Sequence, residues 1–147
     1  MSQSVKILFP HNHEQCINDI INDINLSGSN QKFLSEDIIS FISAFSSSVF
    51  KNKSYRAFPE LVALASWFRS KKIEKLVQQY SSKKINTYFA AKGLAFHIAP
   101  SNVDTIFVYS LFISLLAGNK NIIKVSSRNS EIINEIVKII SEITDQD

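Results

Sequence analysis

The feature that most restricts how this chain can fold lies between residues 93 and 125, where two short apolar runs flank a long apolar helix. The first run, 93–99, is almost continuously apolar, as in a strand covered on both faces. Pro100-Ser101-Asn102 ends it. Residues 104–116 follow as a helix stopped by Gly118, a residue suited to the left-handed turn after a helix C-terminus. Residues 122–125 make a second buried strand. Asn129 or Ser130 then caps a final helix that turns Ile132, Ile133, Ile136, Ile140 and Ile143 inward. Two strands joined through a helix pair in parallel with a right-handed crossover, which is how a helix-covered parallel sheet opens. A pair of parallel strands leaves apolar edges unpaired, so the pattern calls for further strands.

The upstream chain reads as helices. Ile17, Ile20, Ile21 and Ile24 repeat weakly at helical spacing, and residues 26–30 break the pattern. Ser35 caps a helix with Glu36 and Asp37 in its first turn and an apolar face of Ile38, Phe41, Ile42, Phe45 and Val49. Pro59 opens another that buries Leu61, Leu64, Ala65, Trp67 and Phe68. Ile73, Leu76, Val77 and Tyr80 mark a further helix, and Ile85, Thr87 and Phe89 alternate as a strand over 85–91. The expected organisation is a helical region, 1–83, followed by an α/β region, 84–147, without internal repeats.

Composition narrows the class. Eleven Phe, 45% hydrophobic residues and a net charge of +3 in 147 residues belong to a folded domain and not to a disordered chain. A single cysteine, Cys16, excludes an internal disulfide framework and a multi-cysteine zinc site, and fits a reducing, cytoplasmic compartment. Residues 1–10 lack the pattern of a secretory signal. The uncharged stretch 105–119 is shorter than the roughly 20 residues a membrane span requires, so no membrane span is expected. Ten Lys and Arg against two Glu give residues 51–92 a net charge of +8, while the remainder carries −5. Such a segment suits a solvated surface, and would also attract a phosphate-bearing ligand, nucleic acid or anionic lipid. Its aromatics (Tyr55, Phe58, Trp67, Phe68, Tyr80, Tyr88) fit a core better than a base-stacking platform, so no nucleic-acid partner is expected.

Ligands of doubly wound sheets sit at the carboxyl ends of the strands. Two segments occupy that position: Ile98, Ala99, Pro100, Ser101 and Asn102 after the first strand, and Lys124 with Ser126, Ser127 and Arg128 at the second. Their donors suit a ribose, a phosphate or a developing oxyanion, and equally serve as turn and cap residues. Glycine-rich phosphate loops are missing. His11, His13, Glu14 and Cys16 lie close in sequence but lack a rigid frame, so no metal site is expected. His97 alternates within an apolar strand and reads as a satisfied core or partner-facing histidine. Cys16 falls in a polar helical stretch without a neighbouring base.

The run KGLAFHIAPSNVDTIFVYSLFISLLAGNKNIIKVSSRNS, residues 92–130, resembles the start of the cofactor domain of the aldehyde dehydrogenase superfamily. Gly93, Pro100, Asn102, Ala117-Gly118-Asn119 and Lys124 stand in that family's order and at compatible spacing. Within it, the strand end His-Ile-Ala-Pro-Ser-Asn, the run Lys-Val-Ser-Ser, and the upstream Phe58-Pro59-Glu60-Leu61 and Ala65-Ser66-Trp67-Phe68-Arg69 are most similar to acyl-CoA reductases of the LuxC type. The resemblance implies an α/β fold: N-terminal helices, then the first βαβα part of a Rossmann-like domain. It implies NADPH-dependent reduction of fatty acyl-CoA or acyl-protein thioesters to aldehydes, as in bioluminescence, and a homo-oligomer for the complete enzyme. By resemblance, Asn102 is the catalytic amide facing the thioester oxyanion, Lys124 holds ribose hydroxyls, and residues 98–101 line the cofactor. Ser127 stands where many aldehyde dehydrogenases carry a ribose-binding glutamate. With Ser126 and Arg128 beside it, the position suits the 2′-phosphate of NADPH.

One departure is large. The superfamily's reaction runs through a cysteine well downstream of the lysine-bearing strand, whereas Cys16 precedes the whole region. The sequence therefore reads as the N-terminal portion of such an enzyme, inactive alone: a fragment, a truncated gene product, or one half of a split enzyme whose remainder is a partner. The alternatives are a non-catalytic basic binding module and an inactive remnant.

Overall fold

A computed structural model describes residues 4–10, 13–26, 31–82, 88–100, 102–126 and 130–145. The chain opens with strands β1 (Ser4–Ile7) and β2 (His13–Cys16), followed by helix α1 (Ile17–Leu26). Next come α2 (Glu36–Lys51), a 3-10 turn (Lys53–Ala57), α3 (Pro59–Trp67) and α4 (Ser70–Ser81). The last third is β3 (Leu94–Ile98), α5 (Ile106–Leu116), β4 (Lys120–Lys124) and α6 (Glu131–Thr144). The result is a mixed helical molecule with two small sheets.

α2 is the central helix. Ser35 caps it through its hydroxyl to the Ile38 amide, and its Ile42, Phe45 and Val49 are almost fully buried. Around it pack α3, α5 and α6, whose Leu61, Leu64, Phe107, Val108, Phe112, Ile133, Ile136, Ile139 and Ile140 complete one apolar cluster. Phe112 of α5 meets Phe41, Phe45 and Phe68 edge-on, with ring centroids 5.9, 5.1 and 5.0 Å away. Ser46 is buried between α2 and α3 and donates its hydroxyl to the Ala65 carbonyl at 2.9 Å, which removes the cost of sequestering it.

β3 and β4 pair in parallel, with Leu94 opposite Lys120 and Ile98 opposite Lys124. The α5–β4 connection is a Schellman turn: the Gly118 amide bonds the Leu115 carbonyl at 2.8 Å and the Asn119 amide bonds Ser114 at 3.1 Å. Gly118 sits at φ +87°, and a Cβ there would collide with the Gln31 backbone carbonyl. The Asn119 side chain then accepts the Lys92 amide at 2.7 Å, tying the amino ends of the two strands together.

Several expectations change. The N-terminal residues contain an antiparallel hairpin, β1–β2, in which Val5 faces Gln15 and Ile7 faces His13. Cys16 ends that hairpin and is not helical. Trp67 is 64% exposed. Leu61, Leu64 and Ala65 form the inner stripe of α3, continued by Phe68 just past its end, and Trp67 lies roughly 110° from the centre of that stripe at 100° per residue. Its ring instead receives the Lys72 ammonium at 4.9 Å. The expected strand at 85–91 overlaps residues 83–87, which lie outside the described set; its described part, from Tyr88 on, belongs to no strand. There Phe89 stacks on Phe33 at 4.4 Å with Tyr80 edge-on to both. β3 is covered on one face only: Ala95 and His97 are half-buried, while Phe96 and Ile98 are 60% and 72% exposed. The basic residues of the middle segment that are described (Lys51, Lys53, Arg56, Arg69, Lys71, Lys72, Lys75, Lys92) are all exposed. No described helix is long and apolar enough to cross a membrane.

Tyr55, 4% exposed, has its phenol pKa raised above 10.0 by burial first, and then by the charge of Glu135 and a hydrogen bond to it, with Glu142 adding to the effect. The unfolded phenol ionises near 10.0 and the folded one only at higher pH. Tyr55 therefore stabilises the fold below that value and loses this contribution as pH rises through the folded pKa.

Two outcomes follow. Gly118→Ala destabilises the chain by about 1–3 kcal/mol in urea unfolding, because it adds a strained φ to a backbone collision. Tyr55→Phe loses less melting temperature between about pH 9 and pH 11 than the unsubstituted chain does; equal slopes would remove the assignment.

Candidate functional site

The parallel register puts the carboxyl ends of β3 and β4 side by side. Ile98 is the partner of Lys124, and the next amide, Ala99, donates to the Lys124 carbonyl at 3.0 Å. The segments that leave this rim are the two in which the sequence concentrates donors. Ile98, Pro100, Asn102 and Lys124 are exposed, and Ala99 and Ser126 are half-buried, with Ala99 packed against the core. Ser101, Ser127 and Arg128 lie outside the described residues.

A contact not anticipated from the sequence joins the two loops. Ser130 caps α6 through its hydroxyl oxygen, which accepts the Ile133 amide at 3.4 Å, and the same hydroxyl donates to the Asp104 carboxylate at 2.6 Å. Asp104 precedes α5, so one charge-assisted bond couples the start of α5 to the start of α6 beside the strand ends. The carboxylate–hydroxyl pair at 104 and 130 was legible only as two separate helix starts.

Residues away from the rim separate clearly. Cys16 leads into α1, which reaches the sheet where Lys120 Nζ donates to the Ile24 carbonyl at 2.9 Å. Lys120 begins β4, so this contact lies at the strand end opposite the rim. His13 pairs with Gln15 at 3.2 Å, Gln15 with Asp23 at 2.8 Å, and His11 lies outside the described residues. Among the described residues no three His, Cys, Asp or Glu converge as metal ligands. A shallow cleft lined by Ser48, Lys51, Asn52, Tyr55, Ile139 and Glu142 sits at the far end of α6. At 1.5 Å per residue it lies about 18 Å along the helix from Ser130, too remote to share a ligand's reacting end with the rim.

His97 is satisfied, as its place in the strand suggested. Its ring bridges Ser110 of α5 and Asn121 of β4 at 2.6 and 2.9 Å, and so bonds the covering helix to both strands.

The rim can do two things chemically. An exposed ammonium and an exposed amide at neighbouring strand ends can bind anionic or hydroxyl-rich groups. The open face of β3, with Leu94, Phe96 and Ile98, offers an apolar wall beside them.

Comparison with known proteins supplies the family. No curated protein and no solved structure matches the chain. The family model for acyl-CoA reductase (LuxC) matches residues 16–147, leaving out nearly all of the β1–β2 hairpin and taking in every other element. With that match extending over most of the sequence and taking in the whole rim, the chain belongs to the LuxC acyl-CoA reductase family.

Proposed function

We propose that this chain contributes the nucleotide-binding rim and the oxyanion-facing amide of an NADPH-dependent reductase that converts fatty acyl thioesters to aldehydes by way of a cysteine acyl-enzyme. The observation that carries the reading is the parallel pairing of Ile98 with Lys124, which brings the carboxyl end of β3 and the lysine to one edge. In this reading the β3–α5–β4–α6 order is the first part of a Rossmann-like domain beginning near residue 84, with the helical region before it.

The donor set at the rim fits a pyridine nucleotide. Lys124 is an exposed cation able to donate to ribose hydroxyls, and Ile98, Ala99 and Pro100 end the neighbouring strand; in this reading they line the cofactor together with Ser101, the next residue in sequence. Ser126, Ser127 and Arg128 follow with two hydroxyls and a guanidinium, a set that accepts the 2′-phosphate of NADPH where a carboxylate would repel it. When bound, the nucleotide supplies the hydride. Asn102 holds its amide toward the thioester oxygen as negative charge develops there. The described rim contains no thiol, and Cys16 belongs to the hairpin region, so the nucleophilic sulfur comes from outside the rim. A fatty acyl thioester as substrate, a soluble cytoplasmic setting and self-association of the assembled enzyme accompany this reading.

Binding measurements test it. NADPH binds this chain at least tenfold more tightly than NADH. Arg128→Ala weakens NADPH by about 10–100-fold with little effect on NADH, the value of one charge-assisted contact. Lys124→Ala weakens both. Equal affinities for the two nucleotides, unchanged by Arg128→Ala, would overturn the NADPH assignment; absence of binding to either would overturn the rim. In an assay that couples the chain to its acyl-accepting cysteine, Asn102→Ala lowers turnover by about 100-fold.

A further inference from the structure

His97, on β3, faces α5 with both ring nitrogens engaged. Nδ1 lies 2.6 Å from Ser110 Oγ and Nε2 lies 2.9 Å from Asn121 Oδ1. A third contact fixes the sense of these bonds. Asn121 Nδ2 donates to the Asn119 carbonyl at 2.8 Å, so the amide oxygen is the atom presented to the imidazole. An amide oxygen only accepts, which puts the ring hydrogen on Nε2 and leaves a lone pair on Nδ1. The Ser110 hydroxyl therefore donates its proton toward His97. A hydroxyl, a base in contact with its proton, and a neutral group holding the base in one tautomer form the sequence of roles that activates a serine nucleophile.

The surroundings of Ser110 suit an apolar acyl group. The residue is exposed, and Ile106 and Ile113 lie about one turn to either side on the same face, 41% and 44% exposed. Tyr109 adds a ring that is 42% exposed. None of the described rim residues is among these contacts.

We infer that Ser110, His97 and Asn121 form an acyl-transfer site for carboxylic esters or thioesters with an apolar acyl chain. Ser110 Oγ attacks the carbonyl carbon while its proton passes to His97 Nδ1. The bond from that carbon to the alcohol oxygen or thiol sulfur breaks, and the leaving group takes the proton from Nδ1. Water, giving a proton to the same nitrogen, then attacks the acyl-serine, releases the carboxylic acid and restores the hydroxyl. One ester and one water become one acid and one alcohol or thiol, with no oxidation and no nucleotide. Asn121 orients the ring but is uncharged, so it leaves the imidazolium less stabilised than an aspartate would. An ester with a good leaving group is the matched probe.

The test uses the full chain carrying Cys16→Ser, so that no thiol contributes. A fluorophosphonate is expected to add once per chain, at Ser110 by peptide mapping. p-Nitrophenyl octanoate is expected to be hydrolysed faster than p-nitrophenyl acetate. Ser110→Ala, a change at an exposed position, is expected to abolish the adduct and lower octanoate hydrolysis at least tenfold while the chain stays folded by circular dichroism, with a melting temperature lowered by no more than the loss of one hydrogen bond accounts for. His97→Gln is expected to lower both signals, and Ser110→Cys to restore acylation. An adduct elsewhere, no adduct, or octanoate hydrolysis by Ser110→Ala at the parent rate would overturn the proposal and leave the trio as a bracket between α5 and the strands. Neither readout involves a nucleotide or a reduction, so its failure would not touch the rim.

Discussion

The seat of α5 on α2, made through Phe112, is the contact on which the rest of the molecule depends. Phe112 is fully buried and presents its ring to Phe41, Phe45 and Phe68 at angles near perpendicular, 80°, 84° and 82°. Edge-to-face pairs of this kind add about 0.5–1.5 kcal/mol each beyond the area they bury. Their larger consequence is geometric. α5 connects β3 to β4, and two short parallel strands cannot hold their alignment in water without a layer to lie on. By fixing α5 against α2 and the end of α3, Phe112 gives the strand pair that layer.

From this seat the rim is assembled by a series of short polar contacts. The Schellman turn at Gly118 reverses the chain after α5, and Asn119 uses its side chain to receive the amide of Lys92, aligning the amino ends of β3 and β4. His97 bonds Ser110 on one side and Asn121 on the other, so helix and strands cannot slide independently. At the carboxyl end, Asp104 and Ser130 hold the starts of α5 and α6 together. Amides, hydroxyls, an imidazole and a carboxylate supply the register that the apolar layer alone leaves unspecified.

Much of this was legible in the residues, and the misses have physical causes. Ser35, Pro59, Gly118 and Ser130 announced helix ends because caps and turns are local chemistry. The isoleucines of α6 announced an inner face because helical periodicity is local too, although Ile139, fully buried, was missed beside Ile140. The hairpin at Ser4–Cys16 went unseen because each strand is only four residues long and mixes polar with apolar side chains. Trp67 was assigned to the core on hydrophobicity, but helix geometry gave that face to its neighbours. The 85–91 alternation of Ile85, Thr87 and Phe89 resembled a strand, yet the described part of it belongs to no strand, and Phe89 is held by stacking on Phe33 and an edge-on contact with Tyr80.

Taken alone, the amino-acid order settled the succession of strand, helix, strand and helix in the C-terminal third, though β4 starts two residues earlier and α5 two residues later than the pattern placed them, which donors cluster after each strand, and which family the motif from Gly93 to Lys124 resembles. Those are properties of neighbours along the chain, set by capping, periodicity and spacing. Only the tertiary structure decided that Ile98 stands opposite Lys124, that Asp104 meets Ser130, and that His97 lies between Ser110 and Asn121. Such pairs are separated by 13 to 26 residues, and no local rule selects one partner from many of similar chemistry. The choice is made when α5 packs on α2 and forces a single alignment on everything attached to it.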